Sequence, residues 1–221
     1  MRAASGYVGS PVDARTLLLG DWHPLMRDPI DLLRAVPVAG ALAFLAAGDE
    51  RAGAQLAVAA AICLAVRPIA LPRPYDLAVV LAANLQFWGE ALRLYDEIRW
   101  FDNLVHFTVP FLGAPVVYIV LARLDVAPDP RDETHARHYV GMFVTTLALG
   151  LAIGAVWEMV EYASDETLGS SLQIDNTDTV GDLFADGLGS LAGALLLVVW
   201  ALYGWGSVRR VPGENRFEAL D

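Results

Sequence analysis

Seven acidic residues and one histidine lie within, or at the edges of, segments that are otherwise as apolar as membrane-spanning helices. They are Glu90, Asp102, His106, Glu158, Glu161, Asp178, Asp182 and Asp186. A carboxylate at the centre of an inserted helix costs roughly 2.5–3.5 kcal/mol. Such a group is tolerated where it faces a cavity, a partner or a cation, so this set predicts a functional site.

The spacing of these residues places them on shared helix faces, because residues three or four positions apart are neighbours on a helix. Three stripes result, and each combines ionisable residues with glycines: Asp102, His106 and Gly113; Gly150, Gly154, Glu158 and Glu161; Asp182, Asp186, Gly189 and Gly193. Small residues at this spacing let helix backbones approach closely. We predict that the three helices pack through glycine in one half and separate around a polar cavity in the other.

Carboxylates combined with an imidazole are the ligands of a transition-metal site. Such a set suits zinc, manganese or iron, whereas a carboxylate subset suits magnesium or calcium. Helical bundles build related centres from acids and histidine on facing helices. The predicted metal ligands are Asp102, His106, Glu158, Glu161, Asp182 and Asp186.

Two further acids are predicted as general bases for a reaction at this site, Glu90 and Asp178. Asp178 also precedes Thr179 in a position that suits a helix N-cap. The alternative to a metal is a network of ion pairs, in which Arg93 and Arg99 neutralise some acids and the others are protonated. Both interpretations remain open at the level of sequence.

The elements that must position these residues are membrane helices. Of the 221 residues, 56% are hydrophobic and the mean hydropathy is +0.45, values typical of a multi-span membrane protein. A spanning helix needs about 20 mostly apolar residues. Six segments qualify: 32–48, 52–71, 75–95, 102–124, 138–162 and 179–204. The chain is therefore predicted to be an all-α, multi-pass protein of the cell (inner) membrane.

We divide the chain into a cytoplasmic or interfacial segment 1–31, a six-helix transmembrane domain 32–205 and a cytoplasmic tail 206–221. Within the transmembrane domain, polar loops are expected at 124–137 and 164–178.

Orientation follows from arginine, because all fifteen basic residues of the chain are arginines. If the N-terminus is cytoplasmic, Arg51, Arg93 and Arg99 lie outside and every other arginine lies inside. The positive-inside rule then predicts that both termini are cytoplasmic. In that orientation the acidic residues of spans three to six converge on the outer leaflet.

Composition also excludes several classes of protein. The net charge of −11 and the absence of a basic patch argue against a nucleic-acid partner. A single cysteine, Cys63, excludes an internal disulfide. The N-terminal residues lack a basic region followed by a short apolar core, so no cleaved signal peptide is predicted.

Three motifs in the second half carry a resemblance to a known family. They are Asp102-Asn103-Leu104-Val105-His106-Phe107, Trp157-Glu158-Met159-Val160-Glu161, and the stretch from Asp178 to Gly189. With them, residues 90–195 resemble the YjdF-like family of bacterial inner-membrane proteins, a group of unknown function. A fainter similarity is to VanZ-like membrane proteins. The resemblance implies a small multi-span fold with these acids as its functional residues, and it implies no particular reaction.

Three functions fit these observations. The first is a metal-dependent hydrolase or transferase that acts on a membrane lipid or a lipid-linked substrate. The second is a transporter or channel coupled to protons or cations, since acids inside the membrane are typical of ion pathways. The third is a non-catalytic membrane protein with a structural metal or an ion-pair cluster. The glycine faces could also serve oligomerisation.

Overall fold

The computed structural model describes residues 26, 28–69, 71–124, 126–130, 136–169, 172, 176–203, 208–210 and 217–219. These residues are mainly helical, as predicted. The helices are α1 (Ile30–Ala46), α2 (Glu50–Val66), α3 (Arg73–Ala91), α4 (Leu94–Glu97), α5 (Phe101–Arg123), α6 (Ala136–Leu168) and α7 (Asn176–Tyr203). A 3-10 turn, Arg67–Ile69, follows α2. Strands β1 (Val208–Arg210) and β2 (Phe217–Ala219) pair antiparallel, a feature that the sequence analysis did not predict.

Four stretches of helix are long and apolar enough to cross a membrane. They are Glu50–Ile69, Phe101–Arg123, Ala136–Thr167 and Asn176–Tyr203. The other two predicted spans are also helical, but α1 has only 17 residues and α3 carries charged side chains at Asp76 and Glu90. The predicted total of six spans, the predicted orientation and the cytoplasmic assignment of segment 1–31 and tail 206–221 stay predictions.

α6 extends beyond the predicted span 138–162 and continues through the start of the expected loop 164–178. The Ser164 hydroxyl donates to the Val160 carbonyl at 2.8 Å, and the Thr167 hydroxyl donates to the Ala163 carbonyl at 2.6 Å. These polar side chains therefore bond to their own helix instead of ending it. With 33 residues, α6 is about 50 Å long against a hydrocarbon core of about 30 Å.

α7 packs against both α5 and α6, and α3 packs against α2 and α5. The largest buried apolar cluster lies where the start of α3 meets the ends of α5 and α7, and it includes Leu71, Tyr75, Ile119, Leu197 and Trp200. The rings of Tyr75 and Trp200 meet edge to face, with centroids 5.0 Å apart. This cluster fixes the bundle at the end opposite to the predicted acidic site.

Buried charges join the first three helices at that same end. The Arg34 guanidinium of α1 contacts the carboxylate of Asp76 in α3 and lies 2.6 Å from Asp31. Nε of Arg34 also donates to the Cys63 carbonyl at 3.2 Å. Arg67 contacts Asp31 from the turn after α2, at 3.3 Å. The sequence analysis used Arg34 and Arg67 only to assign orientation and missed this network.

α5 and α7 meet through the predicted glycines. Gly189 lies against the carbonyl oxygen of Phe107, and Gly193 lies against that of Phe111, so closely that a Cβ at either position would overlap the oxygen. Pro115 lacks an N–H and leaves the Phe111 carbonyl without its partner inside the helix. That carbonyl faces the Gly193 backbone of α7, which allows a Cα–H···O contact between the helices.

Gly189→Ala is expected to destabilise the protein by about 1–3 kcal/mol, because the added methyl group overpacks the α5–α7 contact. Gly181→Ala, on the same helix, is the matched control, since no heavy atom lies within 4 Å of its added Cβ. There alanine gains up to about 1 kcal/mol of helix propensity. Unfolding of both variants by denaturant, followed by circular dichroism in detergent, measures the difference. Equal shifts in both variants would contradict the close contact.

α6 and α7 also meet through glycine, at Gly150 and Gly154. Gly150 lies against the Ser190 side chain and Gly154 against the Asp186 carboxylate, and an added Cβ would overlap either group. The prediction of glycine-mediated packing is thus confirmed for α6 and α7. Gly113 differs, because a Cβ there would meet only Ile153, at 3.8 Å.

Candidate metal centre

His106 is held at the start of α5, one helical turn after Asp102. The preceding Phe101 is buried, packs edge to face on Tyr95 with ring centroids 5.0 Å apart, and lies against Gly89 of α3. Glycine at position 89 leaves room for that ring. The first turn of α5 is therefore fixed against the end of α3, and the His106 side chain points into the bundle with 4% of its surface exposed.

The two ring nitrogens of His106 face different carboxylates. Nδ1 lies 3.3 Å from both carboxylate oxygens of Asp186. Nε2 lies 3.5 Å from Oδ1 of Asp102 and 3.8 Å from Oε1 of Glu158. A carboxylate accepts hydrogen bonds, so the position of Asp186 favours the tautomer with a proton on Nδ1. In a neutral ring of that tautomer, the Nε2 lone pair is directed towards Asp102 and Glu158.

Asp182 completes this group from α7, one turn before Asp186. Ligand atoms of Asp102, His106 and Asp182 lie within 4.8 Å of one another. The Asn103 amide donates to Oδ1 of Asp182 at 3.3 Å and orients it. Asn103 belongs to one of the three motifs but was not predicted as a site residue. Its position next to Asp102 could have indicated that it lies at the site.

The gaps around Nε2 fit a bound cation better than direct hydrogen bonds. Ordinary N–H···O bonds measure about 2.7–3.2 Å, and the separations of Nε2 from Asp102 and Glu158 are longer. Bonds of about 2.1 Å to zinc place neighbouring ligand atoms of a tetrahedron about 3.4 Å apart. Among the described residues, ligand atoms of Asp102, His106 and Asp182 lie mutually close enough for one small ion, and Glu158 approaches Nε2 from α6.

Burial distinguishes the members of this cluster. Glu158, Asp182 and Asp186 are buried, whereas the Asp102 side chain is 36% exposed. A water molecule or a substrate can therefore reach the group from the Asp102 side. The three buried acids come from α6 and α7, which the glycines bring together directly below them.

Glu161 lies at the edge of the cluster. The Trp157 indole N–H donates to Oε1 of Glu161 at 2.8 Å. The Glu161 carboxylate is close enough to interact electrostatically with Glu158 and His106. Because its carboxylate is held by the Trp157 indole, Glu161 suits a peripheral role better than that of a primary ligand.

Asp178 lies in the first turn of α7, because the helix begins at Asn176 and not at Thr179. The predicted N-cap role of Asp178 is therefore wrong, since two helical residues precede it. Its carboxylate interacts electrostatically with Asp102 and Asp182 across the mouth of the cluster.

Glu90 pairs with an arginine, at 3.1 Å between Arg51 Nη2 and Glu90 Oε2. Arg93 and Arg99, which the alternative interpretation used as counter-ions, are exposed and form no ion pair within the described part of the chain. Among the described residues, the basic side chain that interacts with Asp102 and Asp182 is therefore His106. The Arg93 and Arg99 ion pairs of the alternative interpretation are not found within the described part of the chain.

A cavity of about 230 Å³ lies beside the cluster and is bounded by α2, α3, α5, α6 and α7. Its walls are mainly apolar, and its polar groups include Gln86, His106 and Asp186. The sequence analysis predicted a polar cavity, whereas this cavity, formed by described residues, is mainly apolar. Of the clustered acids, Asp186 reaches its lining, and Asp186 also packs against His106 and Gly154.

Comparison with known proteins adds a family and no activity. A family model described as "Predicted membrane protein (DUF2238)" matches residues 38–202, which include every predicted site residue. This match is consistent with the YjdF-like resemblance. No curated protein and no solved structure matches the chain.

Proposed function

The chain belongs to the DUF2238 family of predicted membrane proteins, and we propose that it binds one divalent metal ion where the start of α5, the last third of α6 and the start of α7 meet. Its ligands are Nε2 of His106 and carboxylate oxygens of Asp102, Asp182 and Glu158. Asp186 instead holds the imidazole through Nδ1–H. This assignment moves Asp186 from the predicted ligands to the residues that orient a ligand.

The position of His106 between two sets of carboxylates carries this proposal. A histidine that binds metal commonly donates its second N–H to a carboxylate, which fixes the ring and its tautomer. Here both oxygens of Asp186 lie 3.3 Å from Nδ1, and the carboxylates of Asp102 and Glu158 lie near Nε2. One nitrogen with three oxygens favours zinc, manganese or iron over magnesium.

We further propose that the site hydrolyses or transfers an ester or phosphoester group of a lipid or lipid-linked substrate. The metal supplies Lewis-acid activation of water or of another attacking hydroxyl. Asp178 takes the proton of the attacking oxygen and returns it to the leaving oxygen once the ester or phosphoester bond has broken. Asp178 is favoured over Glu90 as the base, because the Glu90 carboxylate pairs with Arg51, whereas the Asp178 carboxylate interacts with Asp102 and Asp182 of the site.

The proposed location is the outer leaflet of the cell (inner) membrane. With cytoplasmic termini, the cluster lies at the outer ends of its helices. The partly exposed Asp102 then faces the lipid headgroups, and a substrate enters from the bilayer.

Two substitutions of the same type separate the proposed roles of Asp182 and Asp186. Purified wild-type protein is expected to contain about one divalent ion per chain, as measured by elemental mass spectrometry. Asp182→Asn is expected to lower the affinity more than about 100-fold, whereas Asp186→Asn lowers it about 10–100-fold, the usual effect of a residue that orients a ligand. Asparagine at 186 keeps the side-chain shape, and its amide oxygen still accepts the Nδ1–H bond.

Titration of metal-depleted protein with zinc or manganese measures both affinities. Wild-type protein that is purified without metal and binds none on titration would refute the proposal. A larger loss in Asp186→Asn than in Asp182→Asn would reverse the two assigned roles.

A further inference from the structure

The cavity beside the metal centre has an apolar interior. Ile62, Val79, Phe87, Val109 and Ile153 are among its walls, and they come from four different helices. An engineered apolar cavity of about 150 Å³ in another protein binds benzene, which has six carbon atoms. In the same proportion, the present cavity of about 230 Å³ holds about nine carbon atoms. A cavity of this size and lining accepts a hydrocarbon segment and rejects a sugar or a peptide, whose polar groups would lie unpaired against its walls.

The polar groups of the cavity gather at its outer end. His106 and Gln86 lie at that end, whereas Gly113 and Val79, seven residues further along the same two helices, line it about 10 Å deeper. The Tyr95 hydroxyl donates to Oε1 of the Gln86 side chain at 2.8 Å, so the Gln86 amide oxygen already has a hydrogen-bond partner. The cavity therefore runs from an ionisable mouth to an apolar floor.

We propose that this cavity binds about nine carbon atoms of one acyl or isoprenoid chain of a membrane lipid, counted from the end of the chain that carries the polar group. The polar group of that lipid lies at His106. The inference deepens the proposed function, since it assigns the substrate to lipids with a flexible hydrocarbon chain. The binding of the chain depends on the apolar walls and not on the metal.

Gly113→Leu is the variant that fills the cavity, because Gly113 lines it and the nearest contact of an added Cβ is Ile153 at 3.8 Å. Gly187→Leu is the matched control, since its added Cβ meets Leu151 at 3.7 Å and Gly187 does not line the cavity. Val109→Phe fills the same cavity from a second position. It keeps the test possible if Gly113→Leu does not fold.

The probe is a phosphatidylglycerol with a diazirine on its acyl chain, incorporated with the full-length protein into nanodiscs and activated by light. Mapping of the labelled peptides is expected to place label on wall residues such as Phe87 and Val109. Gly113→Leu and Val109→Phe are expected to reduce the wall label about tenfold, because overpacking opposes entry of the chain. Label on the exposed Leu195 of α7 serves as the internal reference and stays constant.

Wall labelling that persists in both filled variants, or label confined to exposed residues in the wild type, would overturn the proposal. Metal content is measured on the same samples. Wall labelling in a protein without metal would leave the chain site standing while the proposed function fails. Metal binding without wall labelling would refute the chain site alone.

Discussion

His106→Ala is expected to abolish high-affinity metal binding, with a loss of more than about 100-fold in affinity for zinc or manganese. The reason is that alanine removes the proposed nitrogen ligand and also the imidazole that contacts Asp186. Loss of a residue that merely orients a ligand costs about 10–100-fold, so loss of the ligand itself costs more. Titration of metal-depleted protein in detergent measures the change.

His138→Ala is the control for that measurement, because His138 is exposed in the first turn of α6, far along the helix from Glu158. Its metal affinity is expected to equal that of the wild type. His106→Gln tests for a folding defect, since glutamine fills most of the space and places a polar amide where the imidazole was. Unchanged metal binding in a folded His106→Ala protein would show that the ion binds elsewhere.

Arg34→Met is expected to destabilise the protein by about 3–5 kcal/mol, the usual cost of removing one partner from a buried ion pair. Arg34 and Asp76 are 3% and 0% exposed, and Arg34 contacts Asp31 as well. Methionine preserves apolar contacts along the side chain but leaves these carboxylates without the Arg34 guanidinium. Unfolding in mixed micelles, monitored by circular dichroism, gives the free-energy change.

Two further variants show whether burial is the cause. Arg51→Met removes the Arg51–Glu90 pair, in which Arg51 is 56% exposed, and is expected to cost less than about 1 kcal/mol. The double variant Arg34→Met/Asp76→Leu is expected to recover part of the loss, because it removes the uncompensated carboxylate as well. Equal costs for Arg34→Met and Arg51→Met would contradict the structural importance of the buried network.

The sequence predicted which residues lie close together in the site. It did not predict which atoms of those residues contact each other. Helical spacing together with the order of the spans was enough to bring these side chains to one end of the bundle. Asp102 and His106, like Asp182 and Asp186, lie near the start of their helix, and Glu158 lies in the last third of α6. Spacing contains no information about which ring nitrogen faces which carboxylate. That depends on how closely α6 approaches α7, and therefore on the backbone contact at glycine.

Other features were out of reach because they arise from contacts between distant residues. Arg34 and Asp76 are 42 residues apart, and each alone is consistent with a residue at a membrane boundary. The length of α6 was underestimated because Ser164 and Thr167 are frequent in loops, and only their bonds to the preceding turn show that the helix continues. The apolar character of the cavity was missed because its walls come from five helices.

The contact between Gly154 and Asp186 constrains how this protein can evolve. Asp186 occupies the place where any larger residue at 154 would put its Cβ, so the fitness effect of a change at one position depends on the residue at the other. Loss of the carboxylate alone does not make room, because an added Cβ at 154 would still lie 2.7 Å from the Cβ of residue 186. Replacement of Gly154 therefore requires α6 and α7 to move apart or position 186 to become glycine as well, and the second route gives up the carboxylate that orients His106.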